Sequence, residues 1–316
     1  MSEYQKIPLA VIAGPTASGK TALAVELALC LNGEIISADS MQVYKGMEIA
    51  TAKPTMEERK GIAHHLMDFL PPEQSYSVAE YAEDARRCIR EIASRGKLPI
   101  LTGGTGLYIQ SVVDNLEFAP AEADEGLRTE LEQLAEERGG VALLEILREF
   151  DPVMAGRLHP NNRGRIIRAI EVYRTTGVTM SEALRRSREH PSPYRPHMLL
   201  LSFEDRQVLY DRIDARVDAM MERGLVEEAK QMFRRRDSLS ATALQAIGYK
   251  ELFPYFAGLT DLDTAVERMK METRRYAKRQ ISWFKRDARF SPLLVDKSPN
   301  FDYIKRQAEE YLQVLL

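Results

Sequence analysis

The sequence is poor in cysteine: 316 residues contain only Cys30 and Cys88. These two lack metal-ligand spacing and are too few for a disulfide framework, so neither a small secreted scaffold nor a zinc site is expected, and a reducing cytosol is the expected compartment. No stretch approaches the roughly 18 apolar residues of a membrane span. The N-terminus runs within six residues into an apolar strand and a Gly-rich loop instead of a cleavable h-region, so no secretory leader is expected. An excess of one charge is also missing, since 44 Lys and Arg stand against 47 Asp and Glu, a net of -3. Taken alone, that balance argues against a polyanionic partner. What is present is 44% apolar and 8% aromatic residues, enough to exclude disorder. The length suits one large core with a smaller appended domain, because single cores stop growing near roughly 250 to 300 residues.

The near-neutral average hides sorted charge. From Glu117 to Asp151 eleven acids face three arginines, from Arg163 to Arg188 seven arginines face two glutamates, and from Arg268 to Arg289 nine basic residues face two acids. Charge runs are most often plain helix faces. Sorting of this kind leaves a phosphate or nucleic-acid role for the basic blocks open beside that reading.

Apolar runs alternating with amphipathic stretches predict an α/β core with a parallel sheet. Strands are expected at Ile7 to Ala13, Glu34 to Ala38, Leu98 to Thr102, Met198 to Phe203 and, shorter, Leu293 to Val295. Helices are expected at Thr21 to Leu31 and at about 205–234, 241–256 and 261–288. Between about Asn115 and Pro196 no convincing strand is visible, only an acidic then a basic amphipathic pattern closed by Pro191-Ser-Pro-Tyr-Arg-Pro196. The expected organisation is a catalytic core of residues 1–114 and 197–316 with a helical insertion at 115–196.

Gly14-Pro15-Thr16-Ala17-Ser18-Gly19-Lys20-Thr21 fits G-x-x-x-x-G-K-[ST], between an apolar strand and an amphipathic helix, which is the context that confirms the motif. Its glycines let successive N–H groups point at one anion, the helix N-terminus adds its dipole, Lys20 supplies a charge, and Thr21 offers a hydroxyl to Mg²⁺. The loop implies a di- or triphosphate and says nothing of the group that carries it. A Walker-B aspartate is missing: the third strand reads Leu98-Pro-Ile-Leu-Thr102-Gly-Gly. Asp39 follows the second strand instead, where it projects from the carboxyl edge of the sheet as a general base or magnesium-linked carboxylate, or serves as a turn cap. Leu209, Ile213 and Met220 trace one helical stripe on which Arg216 also falls. An arginine there needs a partner, either a diphosphate or a core carboxylate; Arg212 is the weaker rival. His64-His65 fits no zinc spacing and reads as a short strand or turn.

Six blocks now stand in order: the phosphate loop, Asp39-Ser40-Met41-Gln42-Val-Tyr44, Gly103-Gly-Thr105-Gly-Leu-Tyr108, Arg165-Ile-Ile-Arg168-Ala-Ile-Glu171, Gly248-Tyr249-Lys250, and Thr273-Arg-Arg275-Tyr-Ala-Lys-Arg279-Gln280 through Trp283-Phe284. Over about residues 7–290 the chain resembles the bacterial tRNA dimethylallyltransferases, also called tRNA isopentenyltransferases. The resemblance implies a P-loop kinase-like fold and transfer of a dimethylallyl group from dimethylallyl diphosphate to N6 of the adenosine 3′ to a tRNA anticodon, with release of diphosphate. It also implies Mg²⁺ bound at Thr21, the tRNA anticodon stem-loop as partner, no obligate protein partner and a cytoplasmic location. In that frame Asp39 is the base, with Thr21 and Arg216 beside it, and residues 14–21 hold the diphosphate. Asp39, Ser40, Met41, Gln42, Thr105, Arg165, Arg168, Gly248, Tyr249, Lys250, Arg275 and Arg279 face the tRNA. Thr105 has the plainer alternative of an ordinary glycine-turn residue, and the pairs Arg165/Arg168 and Arg275/Arg279 each put charge on one helix face. The chain departs from the family pattern at Asn162-Arg163-Gly164, where Asp-Pro-Gln or similar is expected. The rival reading is a P-loop small-molecule or nucleoside kinase with Asp39 as base on a hydroxyl.

Overall fold

The computed structural model describes residues 6–116, 118, 124–187 and 189–315. Glu117 and Arg188, which bound two of the charged blocks, lie outside the described residues. The elements in chain order are β1 Ile7–Ala13, α1 Lys20–Cys30, β2 Gly33–Ser37, β3 His64–His65, α2 Val78–Ser94, β4 Leu98–Gly103 and α3 Gly106–Val113. Then come α4 Glu125–Phe150, α5 Pro152–Ala155, α6 Arg163–Thr176, α7 Met180–Arg186, β5 Tyr194–Ser202, α8 Arg206–Glu222 and α9 Leu225–Arg234. The chain ends with α10 Tyr249–Phe256, α11 Leu262–Phe284, β6 Phe290–Leu294 and α12 Phe301–Leu312. It divides into two compact units, Met1–Val113 with Pro193–Leu316, and Asp114–Ser192.

The first unit is built on a six-stranded sheet in the order β3-β2-β4-β1-β5-β6, with every pairing parallel. Central strand β1 is apolar throughout because both of its faces are covered. Leu9, Val11 and Ala13 pack with Tyr81, Ile89, Val112 and Phe284, from α2, α3 and α11, on one side. Ala10 and Ile12 pack with Leu23, Leu27, Ile304 and Leu312, from α1 and α12, on the other. A third cluster joins Val43, Tyr44 and Met47 to α8 through α11 by way of Val217, Leu225, Leu252 and Met269. The second unit is helical, with its own core of Leu131, Leu143, Leu147, Ile166 and Ile170.

Several expected boundaries shift. The fourth strand begins at Tyr194, inside the segment read as strandless, and runs beside β1 from Ile7 onward. The expected helix at 205–234 is two helices, parted at Gly224, whose φ of 93° lies in the left-handed region. The expected helix at 241–256 is helical only from Tyr249, after a short 3₁₀ turn at Ala243–Gln245. Among the described residues no helix is long and apolar enough to cross a membrane.

Because all six strands run the same way, the chain leaves β1, β2 and β4 at one edge. The phosphate loop follows β1, Asp39 lies two residues beyond the end of β2, and the Gly103-Gly104 turn closes β4 between them. Two strand spacings, about 10 Å, therefore separate the roots of the phosphate loop and of Asp39.

Candidate active site

A cavity of about 770 Å³ opens at that edge of the first unit. Thr16 through Thr21 line one part of it, and Asp39 through Gln42 line another. The loop earns its shape from special backbone positions: Ala17 has φ 61° and Gly19 φ 89°. At Gly14 a Cβ would stand 2.8 Å from Ser18 Oγ and 3.1 Å from the Leu201 carbonyl oxygen. Gly14 and Pro15 are thus scaffolding, absent from the cavity wall, while the other expected diphosphate residues face it. The buried Ser18 hydroxyl has no hydrogen-bond partner among the described residues. An orphaned buried hydroxyl inside a curled loop is a polar group waiting for a ligand oxygen.

Lys20 and Arg216 sit deep in the same cavity. Burial pushes the Lys20 ammonium down to about 8, with Asp39 pulling it up and Arg216 pushing it further down. Burial likewise lowers the Arg216 guanidinium, against the pull of Asp39. Two cations held close with insufficient negative charge are suited to an anion bearing more than one charge. Arg212 does something else: its Nε donates to the Ala17 carbonyl at 2.9 Å, bracing the loop from outside.

The Asp39 carboxylate accepts the Met41 N–H at 2.9 Å through Oδ1. The turn-cap reading and the cavity-facing reading of Asp39 therefore hold together, since capping uses one oxygen. Thr105 does not line the cavity; its Oγ1 accepts the Ser40 N–H at 3.1 Å and so fixes the Asp39 turn. The Gln42 amide is 9% exposed, donates to the Thr51 carbonyl at 3.1 Å and accepts from the Ser37 hydroxyl at 3.0 Å. Met41, Val217, Met220 and Ile247 supply an apolar stretch of wall.

Tyr249, which the resemblance places against tRNA, is instead fully buried, with its hydroxyl donating to Glu228 Oε1 at 2.8 Å. Glu228 also accepts the N–H groups of Glu48, Ile49 and Ala50 at 2.9, 2.8 and 2.9 Å. Gly248 is buried beside it with φ 107°, where a Cβ would press on that of Ala50 at 3.3 Å. Of the triplet only Lys250 reaches the cavity, with Arg279 and Tyr276 from α11 on its wall. Arg275 is exposed and paired with Glu272 at 2.6 Å. In the second unit Arg165 is exposed, whereas Arg168 pairs with the fully buried Glu171 at 3.0 Å. His64 and His65 form the short strand β3, and among the described residues no group of three His, Cys, Asp or Glu is placed to hold a metal ion.

Two residues that sequence reasoning passed over belong to this site. Gln280 joins the phosphate loop to the Gly104 turn, and Tyr276, one turn earlier on α11, lines the cavity with it. Both lie inside the Thr273–Gln280 block, whose arginines drew attention because charge is visible in a sequence and burial is not.

Sheet order and loop define a P-loop-like α/β fold in which the loop and the Asp39 carboxylate open on one cavity. The family described as IPP transferase matches residues 42–287, and the chain belongs to it. A relative from Thermoanaerobacter sp. (strain X514), named tRNA dimethylallyltransferase, is 47% identical over 97% of this chain and 98% of its own. One of the same name from Bacillus cytotoxicus is 50% identical over 90% of this chain and 89% of its own. Among solved structures, the tRNA isopentenylpyrophosphate transferase of Bacillus halodurans superimposes with a TM-score of 0.72 at 43% identity, covering 98% of each chain. A eukaryotic dimethylallyltransferase described as acting on tRNA gives a TM-score of 0.77 at 32% identity, over 92% of this chain and 74% of that one.

Proposed function

We propose that the protein transfers a dimethylallyl group from dimethylallyl diphosphate to N6 of the adenosine 3′ to the anticodon in tRNA, releasing diphosphate. The protein is a transferase acting on tRNA, as its relatives' names state of them; the kinase alternative is not favoured. The observation that carries the reading is that the phosphate loop and Asp39 open on one cavity without a Walker-B carboxylate between them.

The chemistry follows from charge. As the donor's C–O bond breaks, the bonding pair and the growing negative charge move onto the diphosphate. Backbone N–H groups of the loop, Lys20, Arg216 and the unpartnered Ser18 hydroxyl are aimed at that charge in advance, so they stabilise the transition state more than the ground state. The adenine N6 lone pair is delocalised into the ring, so attack on the allylic carbon needs the N6 proton to leave; Asp39 Oδ2, free of the turn-capping role, is the acceptor. Met41, Val217, Met220 and Ile247 provide the apolar surface that suits a five-carbon tail. The Thr21 hydroxyl on the cavity wall would hold Mg²⁺ only in company with phosphate oxygens and water, its usual mode of binding, and the ion would supply further charge neutralisation at the leaving group. Reaching N6 in a folded anticodon loop requires the base to leave the stack. The cytoplasm, where tRNA is at hand, is the compartment this reading assigns.

Mass spectrometry of unmodified tRNA incubated with protein, Mg²⁺ and dimethylallyl diphosphate tests the proposal. A gain of one C5 unit on that adenosine is expected, and an unchanged nucleoside would refute it.

A further inference from the structure

Gln280 is a buried polar side chain that the transfer chemistry leaves unused. It is 5% exposed. Its Oε1 accepts the N–H of Thr16 at 2.9 Å, and its Nε2 donates to the Gly104 carbonyl at 3.0 Å. The reversed amide would set NH₂ against N–H and oxygen against oxygen, so both partners fix one orientation. The next residue continues the connection: Thr105 donates its N–H to the Ala38 carbonyl at 3.1 Å and accepts the Ser40 N–H at 3.1 Å. Asp39 lies between those two anchored neighbours. A continuous chain of hydrogen bonds therefore runs from the phosphate loop, through a side chain 264 positions away in sequence, to the turn that carries the carboxylate.

The local backbone is shaped to admit this link. A Cβ at Gly104 would lie 2.1 Å from Gln280 Nε2, and one at Gly103 would lie 2.1 Å from the Ala38 carbonyl oxygen. Glycine at both positions lets the β4 turn close against Gln280 on one side and the β2 exit on the other. The Thr16 N–H, occupied by Gln280, is withdrawn from the set available to a phosphate.

We infer that Gln280 is a positioning residue that sets the separation between the phosphate loop and the Asp39 carboxylate, and with it the alignment of donor carbon and adenine nitrogen. This rests on the transfer reading above. A residue in this role acts on rate far more than on affinity, because each half-site keeps its own contacts while their mutual geometry relaxes. Misplacement by about 1 Å can cost 10²-fold in rate.

The test measures single-turnover transfer, donor Kd and tRNA Kd for the parent, Gln280→Leu and Gln280→Glu, with thermal unfolding of each. Parent activity establishes the transfer reading by itself, and its absence would overturn that reading together with the inference that rests on it. Gln280→Leu removes both bonds and is expected to lose about 10- to 100-fold in the transfer step, with both Kd values within about twofold of the parent. Gln280→Glu keeps the acceptor for Thr16 but repels the Gly104 carbonyl, so it is expected to fall between the two; it also decides the matter if the leucine variant does not fold. Thr105→Val, combined with Gln280→Leu, is expected to cost less than the product of the single losses, because both lie on one chain of bonds. Rates unchanged in a folded variant, or a rate loss matched by an equal loss of donor affinity, would overturn the inference.

Discussion

The two walls of the cavity are built in opposite ways. The wall that the proposal gives to the donor is six consecutive residues, Thr16 to Thr21, whose shape is set by a strand, a helix and two backbone positions in the left-handed region. The wall that it gives to the acceptor is collected from the Asp39 turn, the Ala50–Lys53 loop, the Gln245–Ile247 turn and α11. A diphosphate offers the same oxygens whatever it carries, so backbone N–H groups in a fixed local motif suffice. An adenosine presented by an RNA loop has to be received by a shaped recess, and such a recess is made by tertiary packing. The lesson is that the donor wall fails by losing charge and the acceptor wall fails by losing its supports.

The largest expected effect after loss of Asp39 is on the donor side. Lys20→Ala should slow transfer by about 10² to 10³-fold, the range for removing one preorganised electrostatic group, and weaken donor binding, while tRNA affinity without donor is unchanged. Calorimetric titration with donor and filter binding with tRNA separate these. The same wall should respond to pH. The Lys20 ammonium, lowered to about 8, is charged at pH 7 and loses its proton as pH rises through that value, so donor affinity should fall between pH 7 and 9.5. Lys20→Arg should flatten the profile, whatever its absolute affinity, because a guanidinium stays charged there. A profile that falls equally in the arginine variant would assign the titration to another group.

The helical unit sharpens the contrast. Arg165→Ala should lower the slope of log K against log salt for tRNA by about 0.7 to 0.9, without touching donor affinity. Arg168→Ala should in addition reduce thermal stability, because it strips the buried Glu171 of one of its cations. Equal melting temperatures for the two variants would break that distinction. The smallest effect expected is at Tyr249→Phe, which removes a hydrogen bond to the Glu228 carboxylate. A loss of about 1.5 kcal/mol in denaturant unfolding is expected, with tRNA affinity unchanged; a weakened tRNA affinity in the folded variant would return Tyr249 to the RNA contacts.

The contrast between the walls also explains what the sequence disclosed. Strand Ile7–Ala13, the loop and the start of α1 are legible because apolar run, glycines and amphipathic period lie side by side. The parallel α/β class follows from the same local signals. The sheet order does not, since it depends on which strands meet, and β3 with only two residues leaves almost no pattern. The misreading of Tyr249 has a physical cause: an aromatic between glycine and lysine looks like a surface motif until Glu228, 21 positions away, is seen to hold it. Gln280 was invisible for the same reason, its partners lying 264 and 176 positions off. Asp39 was legible because a carboxylate directly after a core strand has few structural reasons to be there, and the one it has, capping its own turn, uses a single oxygen.

The central claim, that Asp39 acts on the proton of the acceptor while the loop acts on the leaving group, is tested most directly by single-turnover transfer with Asp39→Ala at saturating donor and tRNA. A rate loss of about 10² to 10⁴-fold is predicted, with tRNA and donor affinities measured alongside within about threefold of the parent, since a base acts in the transition state. A loss of tRNA binding equal to the loss of rate would contradict the account and make Asp39 an anchor for the RNA.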